Sequence, residues 1–244
     1  MKEVLFTIKE NRPLSPSVCR LVLQGDVSAI TRPGQFLNIR VDGAFLRRPL
    51  SVMDVEGDSV SVAYKIIGRG TELLSRQSEG ETLNVLTGLG NGFSPENSGD
   101  APLLVGGGMG FTPLYFLAKC LTALGRRPTV LLGFGSAEDV LYEREFSALC
   151  PTIVVTADGS AGRKGLVTDV MKDLPYSYFY ACGPEPMFAA MNDIAVTEGE
   201  FSYEARMGCG FGACMGCTCS TIAGPKRICR DGPVLKRSEI RWQT

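Results

Sequence analysis

Residues 103–114 read Leu103-Leu104-Val105-Gly106-Gly107-Gly108-Met109-Gly110-Phe111-Thr112-Pro113-Leu114. An apolar run is followed by a glycine-rich stretch and then by the start of a segment with helical spacing. This order predicts a buried strand, a tight turn and a helix, the context in which a glycine-rich turn approaches the pyrophosphate of a dinucleotide. The spacing is not G-x-G-x-x-G, but a simple strand-to-helix turn would need fewer glycines. We expect the dinucleotide to be contacted by Gly106, Gly107, Gly108, Gly110, Thr112 and Pro113.

The residues after this turn alternate between short apolar runs and segments with helical spacing. Further apolar runs at 129–134, 152–156 and 178–182 predict short buried strands. Between them, apolar residues recur at helical intervals, which predicts helices with one buried face. Strands that alternate with helices form a parallel, Rossmann-like sheet. The predicted buried faces are formed by Leu114, Leu117, Leu121 and Leu124, by Phe146 and Leu149, and by Met187, Met191 and Ile194.

Two segments of this unit favour contact with a nicotinamide dinucleotide. The last predicted strand ends in Cys182-Gly183-Pro184, and open α/β sheets bind ligands at the carboxyl ends of their strands. We expect these three residues to contact the dinucleotide, with Cys182 as a candidate catalytic residue. After the second predicted strand the chain reads Ser136-Ala137-Glu138-Asp139. Carboxylates there, rather than arginines, favour NAD over NADP.

The residues before this unit show a different sequence pattern. Runs rich in β-branched and aromatic residues at 4–9, 18–23, 35–41 and 59–66 predict strands, with one short helical segment at 71–76. They suggest a small antiparallel β-barrel. A polar stretch at 91–100 separates it from the sheet, and after Gly199 the periodicity fades into a Cys- and Gly-rich tail. We therefore predict a β plus α/β fold with units at 1–98, 99–199 and 200–244.

The barrel carries a candidate flavin motif, Arg47-Arg48-Pro49-Leu50-Ser51-Val52, at the start of a strand. Arg48 would pair with a pyrophosphate, because a guanidinium fits phosphate oxygens well. Ser51 would hydrogen-bond near the reactive N5 of the isoalloxazine, which makes it a candidate catalytic residue. An Arg-Pro pair at a strand start is by itself more often a surface feature. Gly68-Arg69-Gly70-Thr71, before the short helix, offers a second anion site.

Five of the nine cysteines fall between Cys209 and Cys229. Clustered cysteines in a protein of a reducing compartment are more often metal ligands than disulfides. Cys209, Cys214, Cys217 and Cys229 form C-x4-C-x2-C-x11-C, which resembles the spacing of plant-type 2Fe-2S ferredoxins. A four-cysteine zinc site is the alternative, but such sites usually pair two C-x2-C knuckles, and only one is present. Cys219 could replace a ligand only by discarding that short pair.

Composition excludes several classes of function. The formal net charge is −1 and the basic residues are spread along the chain. The sequence therefore predicts no basic patch that would bind nucleic acid. The chain contains no histidine, so a Rieske centre and an imidazole base are excluded. No apolar run is long enough to span a membrane, and the chain opens on a strand pattern rather than a signal peptide. We expect a cytoplasmic protein.

Taken in this order, the motifs resemble the ferredoxin-NADP reductase superfamily over residues 1–198. With the cysteine cluster and Cys229-Arg230-Asp231-Gly232-Pro233, the whole chain looks like the electron-transfer subunits of class 1B, NAD-dependent dihydroorotate dehydrogenases. The resemblance implies a 2Fe-2S cluster on Cys209, Cys214, Cys217 and Cys229. It implies FAD contacts from Arg48, Pro49, Leu50 and Ser51, from Lys65, Ile66 and Ile67, and from Gly70 and Thr71.

The resemblance also implies a partner, the FMN-containing catalytic subunit, in a heterotetramer of two copies of each chain. Electrons from dihydroorotate would pass through the cluster and FAD to NAD+ during pyrimidine (UMP) biosynthesis. The small subunit of NADH-dependent ferredoxin:NADP oxidoreductases is similar but has an aspartate at the first ligand position, where this chain has Cys209. Leu50 replaces a tyrosine that many reductases place against the flavin.

Two other functions stay open at this point. The same modules could serve an NAD(P)H:ferredoxin-type reductase with another electron acceptor. A nucleotide-sensing protein with a structural zinc module is the third possibility. An absorption spectrum separates it from the others, because a flavin and an iron-sulfur cluster are coloured and zinc is not.

Overall fold

Alternation of apolar and polar residues shapes the chain up to Leu89, and the computed structural model, which describes residues 1–242, folds this part into a seven-stranded antiparallel sheet. Side chains such as Phe6, Ile8, Leu21 and Leu23 point to one face and are fully buried. The elements are β1 (Lys2–Ser15), β2 (Val18–Gln24), β3 (Phe36–Ile39), β4 (Arg48–Ser51), β5 (Asp54–Glu56), β6 (Ser59–Lys65), α1 (Arg69–Ser75) and β7 (Thr82–Leu89).

The order of strands in this sheet is β4-β3-β7-β1-β2-β6-β5. The sheet curls, because the chain passes from β4 to β5 and so links its two edges. Just after β4, the Met53 amide donates a hydrogen bond to the Ser61 carbonyl of β6 at 2.8 Å. The predicted antiparallel N-terminal barrel is confirmed as a curled sheet that brings β4 and β6 together.

The second unit is a mostly parallel sheet with helices, as the alternating pattern predicts. Its central strands are buried on both faces, so they read as continuous apolar runs, whereas the edge strand at Arg163–Lys164 is charged and exposed. The elements are β8 (Leu103–Gly107), α2 (Phe111–Ala123), β9 (Thr129–Phe134), α3 (Glu143–Ser147), β10 (Thr152–Thr156), β11 (Arg163–Lys164), α4 (Val167–Met171), β12 (Phe179–Cys182), α5 (Glu185–Ile194) and β13 (Gly199–Ser202).

The C-terminal residues form a small module that is tied back to this sheet. Its elements are β14 (Thr218–Thr221), β15 (Gly224–Arg227), α6 (Ile228–Asp231) and β16 (Val234–Lys236). β14 and β15 form a hairpin, and β16 pairs antiparallel with β13. The second sheet therefore has the order β11-β10-β9-β8-β12-β13-β16.

The predicted boundary at 199/200 lies inside β13, a strand of the second sheet. The division into units at 1–98, 99–199 and 200–244 stays a prediction, and residues 243 and 244 lie outside the described part of the chain. One detail of the sequence analysis is wrong. Leu124 does not share the buried face of α2, because the helix ends at Ala123 and Leu124 is 59% exposed.

Two sets of contacts hold the units together. Lys119 of α2 pairs with Asp54 and Glu56 of β5, at 2.6 and 2.9 Å. The linker after β7 buries Phe93 against Tyr180 of β12 with ring centroids 5.6 Å apart. These contacts fix the carboxyl edge of the parallel sheet against β4 and β6. Within residues 1–242, no helix has both the length and the apolar character needed to cross a membrane.

Candidate functional site

A cavity of about 770 Å³ lies between the curled sheet and the carboxyl edge of the parallel sheet. β4 forms one wall, because its four residues are half-buried at an edge of the sheet. The end of β6 and the start of α1 form a second wall. Of the predicted FAD-contacting residues, those that line this cavity are Arg48, Pro49, Leu50, Ser51, Lys65, Ile67, Gly70 and Thr71. Ile66 lies instead against the apolar core of the barrel.

Arg48 and Gly70 are matched in shape. The Arg48 Nη1 donates a hydrogen bond to the Leu46 carbonyl at 2.9 Å, and this holds the guanidinium over the first turn of α1. A Cβ atom at position 70 would overlap that guanidinium, so glycine there lets Arg48 lie directly against the helix. Thr71 Oγ1 donates to the Gly68 carbonyl at 3.0 Å and accepts from the Ile67 amide at 3.1 Å. These two hydrogen bonds fix the conformation of the loop that precedes α1 and lies next to Arg48.

The charge of the cavity suits an anionic ligand. Arg47, Arg48, Lys65, Arg69 and Arg206 all line it, and Glu204 is the single carboxylate among the described residues that do so. Guanidinium groups pair well with phosphate oxygens, so the pyrophosphate of FAD fits this lining. Desolvation of the Glu204 carboxyl raises its pKa.

The two candidate catalytic residues, Ser51 and Cys182, line the same cavity from opposite sheets. Cys182 ends β12, and its side chain is 2% exposed. Burial raises the pKa of the Cys182 thiol far above its ordinary value, so the sulfur stays protonated. The structure therefore brings together a hydroxyl and a neutral thiol at the junction of the two units.

Part of the cavity wall was not predicted. Ser202, at the end of β13, and the five residues after it line the cavity from the side of the C-terminal module. This segment carries no glycine-rich or charged motif. Its position directly after a strand of the parallel sheet is the one signal that could have found it, but β13 itself was not predicted.

A second cavity, of about 310 Å³, lies at the glycine-rich turn. Gly108 and Met109 of this turn line it. Gly135, Glu138 and Asp139, which all follow β9, line it as well. Gly108 has a φ of +54°, a left-handed conformation that glycine adopts without strain. The carboxylates expected to select NAD are thus brought to the turn expected to hold the pyrophosphate.

The other residues of the predicted dinucleotide site lie around this cavity rather than in its lining. A Cβ atom at Gly107 would come within 2.8 Å of Met187 Sδ, and one at Gly110 would overlap the Cys182 carbonyl. These glycines allow the turn to pack against the end of β12. Thr112 lines the larger cavity. Gly106 lies in β8, Pro113 in α2, and Gly183 and Pro184 between β12 and α5.

The four predicted cluster ligands are brought together in two pairs. Cys209 and Cys214 form one pair, in which the amide of each donates to the sulfur of the other at 3.4 Å. Cys217 and Cys229 form the second, buried pair, with the Cys229 amide 3.4 Å from Cys217 Sγ. Cys219 lies on β14 of the neighbouring hairpin.

The Cys209 sulfur is set up to carry negative charge. Burial alone would raise its pKa, but hydrogen bonds from the amides of Cys214, Phe211 and Ala213 lower the pKa of Cys209 to about 6. In the other pair, burial raises the pKa of Cys229 to about 12. Amides directed at a thiolate are typical of iron-sulfur sites, where they adjust the reduction potential.

Among residues 1–242, no three cysteine or carboxylate side chains converge on a point that could hold a single metal ion. A 2Fe-2S cluster is held differently, because each of its two irons takes two cysteines. Two separate thiol pairs therefore fit this cluster better than a tetrahedral zinc ion, which needs four ligands around one centre.

Comparison with known proteins identifies two segments of the chain by family models. A family model described as the iron-sulfur cluster binding domain of dihydroorotate dehydrogenase B matches residues 204–241, and one described as an oxidoreductase NAD-binding domain matches residues 104–193. A solved structure of an NADH-dependent reduced ferredoxin-NADP oxidoreductase superimposes with a TM-score of 0.88 at 30% identity, covering 97% of this chain and 90% of that one.

Two bacterial proteins named dihydroorotate dehydrogenase B (NAD(+)), electron transfer subunit, are similar along almost their whole length. The protein from Bacillus velezensis is 44% identical over 254 residues, covering 98% of this chain and 99% of the relative. The protein from Bacillus pumilus is 41% identical and covers 98% of both chains. Identity of this extent, over all three modules, means that the chain belongs to the family of dihydroorotate dehydrogenase B electron transfer subunits.

Proposed function

We propose that this protein carries electrons from the oxidation of dihydroorotate, which takes place on a partner subunit, through a 2Fe-2S cluster and FAD to NAD+. This reaction belongs to the de novo pathway of pyrimidine biosynthesis that leads to UMP. The observation that carries the proposal is that the three candidate sites are neighbours: the two cavities share lining residues, and the lining of the flavin cavity extends to within two residues of Cys209.

Shared residues support this arrangement. Lys65 and Met109 line both the flavin cavity and the dinucleotide cavity. At its other end, the flavin cavity is bounded by Met207, two residues before Cys209. When bound, FAD exchanges two electrons with a nicotinamide and single electrons with a cluster, so its site belongs between the other two.

The chain's own residues have separate tasks in this proposal. Arg48 and the first turn of α1 hold the FAD pyrophosphate, while Ser51 and Cys182 flank the place where flavin and nicotinamide meet. Glu138 and Asp139 favour NAD over NADP. Cys209, Cys214, Cys217 and Cys229 hold the cluster, and we keep the division into units at 1–98, 99–199 and 200–244 as part of the proposal.

The proposed partner is an FMN-containing catalytic subunit, in a heterotetramer of two copies of each chain. The names of the relatives support a partner, because an electron transfer subunit serves a second subunit. We place the complex in the cytoplasm, a reducing compartment that suits nine cysteines without a disulfide.

A second candidate function is reduction of a different acceptor, as in an NAD(P)H:ferredoxin-type reductase. It is favoured by the 30% identity to the NADH-dependent reduced ferredoxin-NADP oxidoreductase structure. Co-purification separates the two functions. A partner that oxidises dihydroorotate supports the first, and a partner without that activity supports the second.

The absorption spectrum of the purified protein tests the cofactors. We expect flavin and iron-sulfur bands, and we expect anaerobic NADH to bleach both. Addition of the dihydroorotate-oxidising subunit should then give dihydroorotate-dependent reduction of NAD+. A colourless protein that contains zinc would overturn the proposal.

A further inference from the structure

Two asparagines, one in the curled sheet and one just after its last strand, hold the cluster module. Asn38, on β3, donates from Nδ2 to the carbonyl of Cys209 at 3.0 Å. Asn91, just after β7, donates from Nδ2 to the Val234 carbonyl at 2.7 Å and accepts from the Val234 amide at 3.1 Å. The first predicted ligand and the segment that follows the last one are thus both attached to the sheet that lines the flavin cavity.

Asn38 lies directly behind the flavin wall. It is opposite Pro49 in the register of β3 and β4, and it is two residues from Phe36, which also lines the cavity. A Cβ atom at Gly210 would overlap the Asn38 amide, so the cysteine loop packs on this side chain with no space between them. One hydrogen bond therefore links the Cys209 backbone to the strand that pairs with β4.

The environment of Asn38 is costly for an asparagine. The residue is 1% exposed, and its Oδ1 has no hydrogen-bond partner among residues 1–242. A buried polar atom without a partner destabilises the folded state. Leu37 and Ile39 point to the opposite face of the strand, so they provide no partner for this oxygen. Stability alone does not explain the asparagine, whereas its donor to Cys209 does.

We propose that Asn38 is a positioning residue for electron transfer, which holds the Cys209 end of the cluster site at a fixed place against the flavin wall. This inference rests on the proposed function, because it assumes that a cluster and FAD are bound. Asn91 fixes the other end of the module, so that the loop cannot pivot about Cys209.

The test is Asn38→Leu in the full-length protein, with cofactor content, thermal stability and iron release measured together. Loss of the hydrogen bond should speed the release of iron to a chelator by roughly fivefold, the equivalent of about 1 kcal/mol. The melting temperature should stay the same or rise, because the unpartnered Oδ1 is removed as well. In stopped flow, NADH should reduce the flavin at the normal rate, and the cluster should follow more slowly.

Asn84→Leu is the matched control, because Asn84 is on β7 and also has a buried Oδ1 without a partner among the described residues. It should leave iron release unchanged. Asn38→Ala also lacks the donor and adds no charge, so it should release iron as the leucine variant does, and it provides the test if the leucine variant does not fold. Unchanged iron release in both Asn38 variants, or a lower melting temperature with loss of flavin, would overturn the proposal. Absence of flavin or cluster from the unmodified protein would instead reject the proposed function.

Discussion

At the scale of single residues, the flavin cavity is organised by charge. Its lining contains several guanidinium groups and one described carboxylate, Glu204. Arg47 is paired with Glu3 at 3.0 Å, whereas a ligand with phosphate groups could pair with the other cations of the lining. The Arg48 guanidinium donates a hydrogen bond to the Leu46 carbonyl. It also occupies the space that a side chain at position 70 would take.

Replacement of Arg48 with alanine should weaken the binding of FAD. A hydrogen bond to a charged group contributes about 1.5–3 kcal/mol, which corresponds to a roughly 10- to 150-fold rise in the dissociation constant. The fluorescence of the flavin released on dilution measures this dissociation constant. Arg40→Ala is the control, because Arg40 pairs with Asp42 and does not line the cavity. Equal retention of FAD by the two variants would show that Arg48 does not hold the pyrophosphate.

Neutralising Glu138 and Asp139 should relax the preference for NADH over NADPH. Both carboxylates line the dinucleotide cavity, and each would repel the added 2′-phosphate. Two charges a few ångströms apart in water interact by about 1 kcal/mol, so Glu138→Gln with Asp139→Asn should raise the relative use of NADPH by roughly tenfold or more. Reduction of a dye by each nucleotide provides the ratio of kcat/KM values. Glu143→Gln, on α3 outside the cavity, should leave that ratio unchanged, and a double variant with the same ratio would reject the assignment.

The cluster ligands could be predicted from the sequence, because the intervals between the cysteines are typical of a 2Fe-2S site. Cys209, Cys214, Cys217 and Cys229 stand at intervals that only a compact loop can use, and the structure brings them together in pairs. Glu204 could not be predicted in this way. An isolated carboxylate has no spacing signal, and its place in the cavity depends on the path of β13, which is set by the tertiary fold.

At the scale of elements, β13 joins three parts of the molecule. It pairs with β12 and β16, and its Glu200 is 1% exposed. Glu200 accepts a hydrogen bond from the Ser94 amide at 2.9 Å, in the linker between the two sheets. The Tyr178 hydroxyl lies 3.4 Å from the same carboxyl group. A buried carboxyl therefore fixes the linker against the parallel sheet.

The contribution of Glu200 to stability should depend on pH. Burial raises its pKa above the ordinary value of 4.5, and the hydrogen bonds offset only part of this rise. The native state thus binds a proton more tightly than the unfolded state, so the contribution is greatest below pH 4.5 and is lost as the pH rises through the native pKa. Each unit of the shift corresponds to about 1.4 kcal/mol.

Glu200→Gln measures this effect. The variant lacks the titration, so its free energy of unfolding, compared with that of the unmodified protein, should increase from acid to neutral pH. Urea unfolding at a series of pH values gives the difference. Glu198→Gln, in the loop before β13, is the control and should show no such trend. A constant difference across the series would mean that Glu200 is not protonated preferentially in the native state.

Elements that carry their own periodicity could be predicted, and those defined by their partners could not. The alternation in β1, β2 and β6 and the apolar runs of β8, β9 and β10 agree with the structure. β7 was missed because its run, Thr82–Leu89, includes polar residues and a glycine. β13 and β16 are short, and their residues become strands because they add to the edge of an existing sheet.

At the scale of the whole molecule, the flavin cavity lies where all three modules meet. The curled sheet, the parallel sheet and the segment that leads to the cysteine loop each supply a wall. The flavin cavity is lined by residues up to Met207 and by Pro233, whereas none of the four predicted cluster ligands lines it or the dinucleotide cavity. The first half of the proposed electron path should therefore work without the second.

Replacing Cys214 with serine should separate the two halves. A hydroxyl is a poorer ligand for iron than a thiolate, so the cluster should be lost or become unstable. The flavin and dinucleotide cavities contain no part of the cysteine loop beyond Met207, so NADH should still reduce FAD and an artificial dye. Transfer of electrons from dihydroorotate to NAD+ through the partner should collapse. Dye reduction, dihydroorotate-linked turnover and iron content, measured on one preparation, distinguish these outcomes.

Cys219→Ser is the matched control, because Cys219 is two residues from the predicted ligand Cys217 but lies on the hairpin strand β14. It should keep the iron and both activities. If Cys219→Ser were the variant that lost the cluster, the ligand assignment would be wrong. If Cys214→Ser kept dihydroorotate-linked turnover, electrons would not need the cluster to reach the flavin, and the order of the redox centres would have to change. Retention of dye reduction together with loss of dihydroorotate-linked turnover is the result that places the cluster between FAD and the partner.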